Sequence, residues 1–171
     1  MKNKLFIQTF IKNIVVVLAA FLGGFYFTSM FHEPSSLVGG LWATISAIIV
    51  LEVSHYETLT AAKNRLLGSF IGAILSGIYL LFFPFTALGF VATIGVGVLV
   101  CFILKVPQAV KLTGITISVV VIVSTITKDL HPVANAGLRF VESAIGTGVA
   151  TLVAYLAYLI VKLPHGNEIE N

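Results

Sequence analysis

The sequence predicts an all-α membrane protein: six transmembrane helices arranged as two inverted three-helix repeats, with both termini cytoplasmic. Three observations carry that prediction. Of 171 residues, 58% are hydrophobic and only 10% are charged, against about 25% charged in an ordinary globular domain. So few polar groups cannot cover a soluble domain of this length. The charges stand in short clusters and leave uncharged runs at 14–31, 35–51, 66–104, 112–127 and 143–161. Finally, a shift of 74 residues lays "RLLGSFIG" (65–72) over "RFVESAIG" (139–146) and carries the first three spans onto the last three.

The first element is expected at 13–31, behind Lys2, Lys4 and Lys12. No small-x-small cleavage signal comes after it, so it reads as a retained span rather than a signal peptide. The second, 35–52, opens after "HEPSS". The run 66–104 holds 39 residues with no Asp, Glu, Lys, Arg or His, and one span needs only about 20. It therefore divides into a third helix at 65–83 and a fourth at 86–104. The break falls in "FFPFTALG", where Pro84 cannot continue a helix and Gly89 loosens the chain beyond it. A fifth helix is expected at 110–127 after "KVPQ", and a sixth at 139–162 after "KDLHP". The repeat halves are then 13–83 and 86–162, in a single membrane domain spanning 1–171 that ends in a short polar tail, 163–171.

Basic residues orient the spans. With the N-terminus inside, the inner segments hold Lys2, Lys4, Lys12, Lys63, Arg65, Lys105, Lys111 and Lys162, and the outer ones only Lys128 and Arg139. The net charge of +3 results from this topology, so it gives no argument for nucleic acid. The lone Cys101 permits no internal disulfide. An odd number of spans per repeat forces the halves to cross in opposite senses. Arg65 is thereby expected near the cytoplasmic face and Arg139 near the outer face.

Small residues recur every four positions in the third span, as Gly68, Gly72, Ser76 and as Ser69, Ala73, Gly77. These rows are neighbours on a helix and make one smooth face. The sixth span repeats the device with Ser143, Thr147, Thr151 and Gly146, Ala150, Ala154. Such faces let helix backbones approach closely. Two readings stand: tight packing of a central helix pair, or the wall of a translocation path.

Chemistry collects near the span ends. Glu52, His55, Glu57, Lys63 and Arg65 come after the second span, and Lys128, Asp129, His131 and Arg139 after the fifth. Each end would offer imidazole, carboxylate and guanidinium together, a set suited to binding an anion and handling a proton. Arginine presents a planar fork to a carboxylate and stays charged, whereas histidine titrates near physiological pH. Both arginines are expected at helix N-termini, where free amides favour an anion. Arg139 and Glu142, three apart, have the spacing of a simple ion pair, as do Glu52 and His55. His32 reads as a solvated loop residue, and Trp42, Tyr56, Tyr155 and Tyr158 as packing or interface anchors.

No enzyme is indicated. The chain has no nucleophile elbow with an ordered triad, no metal-spaced Cys or His, and no phosphate-cradling Gly loop. No cofactor or metal is called for.

The order from Trp42 through a short polar loop to Arg65, Gly68, Ser69 and Gly72 resembles the membrane module of the fusaric acid resistance family and of related aromatic acid exporters. Around Arg139 and Gly146 the likeness is weaker, because Glu142 stands where the pattern has Gly. The resemblance implies export of aromatic carboxylic acids and similar organic anions. Many exporters carry the module twice, with cytoplasmic domains between. A single copy points to a homo-oligomer, dimer or trimer, in the lipid bilayer of a bacterial inner membrane. The expected function is thus efflux of organic carboxylate anions, proton-coupled and oligomeric. The alternatives are an organic-anion channel and a structural or accessory subunit that moves nothing.

Overall fold

The computed structural model describes residues 2–52 and 54–162. The predicted tail at 163–171 and the side chains of Lys2, Lys4 and Lys162 lie outside the described residues. Helices α1 (Lys2–Ser29), α2 (Ser36–Val50), α3 (His55–Phe82), α4 (Ala87–Ile103), α5 (Val110–Ile126) and α6 (Pro132–Lys162) succeed one another, and no strand occurs among the described residues. Single 3-10 turns, Glu33–Ser35 and Pro107–Ala109, lead into α2 and α5. Five of the six helices are long and apolar enough to cross a membrane. The exception, α4, has 17 residues, about 26 Å against about 30 Å of hydrocarbon.

Burial is distributed as a bilayer requires. Leu88, Met30 and Ile103 are 81%, 80% and 76% exposed, whereas Arg65, Arg139, Glu142 and Asn135 are fully buried. In water this arrangement would be inverted. Lipid supplies no polar partners, so polar side chains turn inward to satisfy one another.

Three helices begin earlier than expected: α1 at Lys2, α3 at His55 and α6 at Pro132, not at 13, 65 and 139. A helix starts where its first amides are capped rather than where hydropathy rises. Ser54 caps α3 by accepting from Glu57 N at 3.2 Å, and Pro132 opens α6 with its ring already at a helical φ. Ten residues of helix, about 15 Å, thus precede Arg65, and seven, about 11 Å, precede Arg139. At the end of α4, Lys105 takes a left-handed φ of 59°. Its amide reaches Phe102 O at 3.0 Å, and Val106 N reaches Cys101 O at 2.9 Å. That pairing closes the helix in the manner glycine usually does.

Helices α3 and α6 form the central antiparallel pair, with Gly77 facing Ala136, Phe70 against Phe140, and His55 beside Tyr155. Helix α2 packs on α6 and α1, while α5 packs on α3 and α4. The small residues make these approaches possible. A Cβ on Gly72 would stand 2.8 Å from Thr113 O, and one on Gly68 3.0 Å from Ala109 O, both around α5. A Cβ on Gly146 would run into the Ala43 carbonyl of α2. Ala73 packs with Val120 and Ala136, and Ser76 folds back onto Gly72 O at 2.6 Å.

Gly146→Ala must push α2 from α6 and is expected to lose about 1–3 kcal/mol. Gly95→Ala, where nothing lies within 4 Å of the added carbon, should stay within about 0.5 kcal/mol. Equilibrium unfolding of the two variants in mild detergent separates them.

Candidate functional site

The centre of the bundle is a buried polar cluster built on α2, α3 and α6. Trp42 and Ser46 stand one turn apart on α2, and Arg139 and Ser143 one turn apart on α6, so each pair shares a face. From α3, Arg65 extends between them. Its Nη2 donates to Ser46 Oγ at 2.7 Å and to Ser143 Oγ at 3.3 Å, and its Nε to Ser46 Oγ at 3.2 Å. The guanidinium carbon lies 4.7 Å from the centre of the Trp42 ring, a distance at which the π face attracts a cation. Among the described residues no carboxylate pairs with Arg65, and its Nη1 is buried without a partner.

Arg139 is treated differently. Its Nη1 lies 3.0 Å from Glu142 Oε2, both side chains being fully buried. The pair is held by charge, since neither atom makes an aligned hydrogen bond. Thr28 of α1 donates to Glu142 Oε1 at 2.6 Å. Gly39 leaves the room, for a Cβ there would come within 2.8 Å of that oxygen. Trp42 ties both arginines together: its ring carries Arg65, and its Nε1 donates to Arg139 O at 2.8 Å. Among the described residues, this interior holds two guanidinium groups and one carboxyl group.

The arginines therefore stand neither at helix N-termini nor at opposite faces, contrary to the expectation from sequence. Because α3 and α6 run antiparallel and each starts early, both side chains reach the same central layer. The imidazole, carboxylate and guanidinium sets at the two ends are also not assembled. At one end Glu52 and Glu57 are exposed. There Glu52 O accepts from Lys12 Nζ at 2.7 Å, and His55 sits among the rings of Tyr56, Tyr155 and Tyr158 with centroids 5.3–5.8 Å away. At the other end His131 Nδ1 accepts from Val133 N at 3.3 Å, inside the first turn of α6.

Asp129 pairs not with His131 but with His32, at 3.0 Å between Oδ2 and Nε2. His32, expected to be solvated, is 14% exposed, with its Nδ1 2.8 Å from Ser35 Oγ. Proximity in sequence misled here, because the 3-10 turn before α2 brings His32 across to the α5–α6 loop.

Sequence reasoning missed Ser46, Ser143 and Thr28 as partners of charge, and it gave Trp42 a packing role only. A signal was present for Glu142, since an acidic residue inside a span is by default placed against a partner in the protein interior. The i,i+3 pair with Arg139 is formed as its spacing indicated.

Comparison with known families matches residues 14–153 to the fusaric acid resistance protein-like description. The chain belongs to the fusaric acid resistance protein-like family. That family is one of membrane transport and efflux rather than of enzymes, and its match agrees with the multi-pass architecture. Neither the curated proteins nor the solved structures returned a match. Within this family member, the buried arginines lie inside the matched segment.

Glu142→Ala strands Arg139 and should cost about 3–5 kcal/mol. The double replacement Arg139→Met with Glu142→Leu removes both charges and should cost distinctly less. A double-mutant cycle by equilibrium unfolding measures the difference. Trp42→Phe keeps a ring under Arg65 but loses the hydrogen bond to Arg139 O, for an expected loss of about 1 kcal/mol in the same assay.

Proposed function

We propose that this chain exports aromatic or other organic carboxylate anions across a bacterial inner membrane, with both termini cytoplasmic, as a proton-coupled homo-oligomer. The observation that carries the reading is Arg65: a permanent cation, fully buried, with hydroxyls and a ring for partners and one nitrogen unused. A carboxylate is the complement this site lacks. Membership of a family of membrane transport and efflux supports the transport half of the reading.

An alternating-access scheme needs related halves, and several contacts support an inverted repeat. The two 3-10 turns start 74 residues apart. The pairs α1 with α2, α2 with α6 and α1 with α6 become, under that shift, α4 with α5, α5 with α3 and α4 with α3, all of which pack together. Helix α4 supports oligomer formation, being short for a bilayer and smooth on its outer side at Gly95. Proton coupling is assigned to His55, which sits at one end of the central helix pair and is faced by Tyr155 and Tyr158.

In liposomes, Arg65→Gln should lower the flux of an aromatic carboxylate about tenfold to a hundredfold, the loss expected for a charged hydrogen-bond donor, while Arg65→Lys retains part of it. His55→Gln should abolish the stimulation of flux by an imposed proton gradient. Wild-type protein that moves no organic anion would overturn the reading in favour of a structural or accessory subunit.

A further inference from the structure

Glu142 is a titratable group that the proposed transport does not use. It is fully buried within the apolar span of α6, ten residues or about 15 Å beyond Pro132. Carboxyl groups are rare inside membrane helices and by default mark an ion or proton pathway. Glu142 Oε1 accepts from Thr28 Oγ1 at 2.6 Å, while Oε2 faces Arg139 Nη1 at 3.0 Å without an aligned hydrogen bond. Among the described residues, Arg139 is the charged group that faces it. Helix α1 offers Thr28, α2 offers Gly39, and Arg65 reaches the neighbouring Ser143 instead.

A series of hydrogen-bonding side chains leads from the surface toward that carboxyl. Asp129, 62% exposed, stands with Oδ2 3.0 Å from Nε2 of His32, which is 14% exposed. Nδ1 of the same ring lies 2.8 Å from Oγ of Ser35, which is 1% exposed, and Thr28 and Glu142 are at 0%. Beside the His32 and Asp129 pair stand Glu33, Lys128 and His131, all exposed. His32 is engaged on both ring nitrogens, the arrangement in which an imidazole takes a proton on one side and releases one on the other. Its amide donates to Thr28 O at 2.8 Å, and Gly39, one turn beyond Ser35, packs on the Thr28 side chain. Ser35 and Thr28 thus belong to one tight turn around His32.

We infer that Glu142 is a proton-binding site inside the membrane, loaded from the Asp129 end through His32, Ser35, one bridging water molecule and Thr28. The inference rests on the proton-coupled reading and adds an interior site reached from the end of α6 opposite His55. Each group passes on one proton as it takes up another, so a proton entering at Asp129 places a different one on Glu142. Thr28 gives its own to Oε1 and takes the next from the water. It then turns that proton to the Gly24 carbonyl four residues back, the bond that Thr44, Thr93 and Thr151 make at 2.8–2.9 Å. The carboxyl O–H donates in turn to Thr28 Oγ1, and Oε2 stays beside Arg139 as a carbonyl oxygen. Thr28 thereby satisfies both forms of Glu142, as a site that loads and unloads requires.

The full chain in phosphatidylcholine vesicles provides the test, with Trp42, its single tryptophan, as reporter, because that indole bonds Arg139 O. On acidification the infrared spectrum should gain the C=O stretch of a protonated carboxyl in apolar surroundings, and Trp42 emission should change. Glu142→Gln should remove both. Isotope-labelled glutamate should move the band in the wild type, a check that needs no variant to fold. After a rapid step in pH, Thr28→Val and His32→Gln should slow the Trp42 response several-fold and leave its end value unchanged, with Thr28→Ser as fast as the wild type. His32→Gln keeps a hydrogen bond to Asp129 but cannot relay a proton, so a merely structural tie would leave the rate alone.

No apolar carboxyl band, a band that labelled glutamate leaves in place, or one that survives Glu142→Gln overturns the proton site. Responses as fast in Thr28→Val and His32→Gln as in the wild type overturn the route. Benzoate flux separates this inference from the reading beneath it. If flux responds to an imposed proton gradient and the band is absent, the interior site alone is wrong. A band with flux that ignores the gradient leaves the site standing and removes proton coupling from the transport.

Discussion

Everything at the centre of this protein is arranged around a cation, Arg65, that has no counter-ion among the described residues. Removing a guanidinium from water into a lipid-embedded interior costs several kcal/mol. Arg65 recovers part of that from charged hydrogen bonds to Ser46 and Ser143, of about 1.5–3 kcal/mol each, and from the Trp42 face. These partners come from α2 and α6, so the cation is tolerable only where both helices crowd against α3. Around this centre Gly146 lets α6 meet α2 at Ala43, and Gly39 lets α2 meet α1 at Thr28. The small residues are thus a condition of the polar centre as much as a device for packing in lipid.

The two arginines show how one substitution divides the roles of related positions. Under the 74-residue shift, Gly68 corresponds to Glu142. On α3 the glycine admits the backbone at Ala109, in the turn before α5, and at Thr113 of α5. On α6 the glutamate fills that position, and the facing helices yield instead, with Gly39 giving space and Thr28 a hydrogen bond. Arg139 acquires a partner and becomes a strut, tied through its carbonyl to Trp42. Arg65 keeps hydroxyls and a ring as its partners instead.

The membrane class, the order of the six helices and the small-residue faces were legible in the sequence, because hydropathy and four-residue spacing are local properties. Helix starts were less so. Hydropathy marks where lipid begins, whereas Ser54 and Pro132 mark where backbone amides are first satisfied, and these differ by ten and seven residues. That difference moved Arg65 and Arg139 from the mouths of their helices to about two to three turns inside. The candidate site was legible in its arginines but not in its assembly. Ser46 lies 97 residues from Ser143, and His32 the same distance from Asp129, so no local pattern could join them.

The small-residue face, which the sequence reads as packing or as the wall of a path, meets two kinds of surroundings. They occupy different lengths of the same seam. Between Arg65 and Phe82, α3 is held by glycine against α5 and by Gly77 and Phe70 against α6, and there closeness serves packing. Between His55 and Leu66 the same two helices diverge, and the small side chains there meet open space. Arg65 marks the change from one regime to the other. Arg65 itself, fully buried with one nitrogen unpartnered, stands one residue from Leu66, where the open stretch ends.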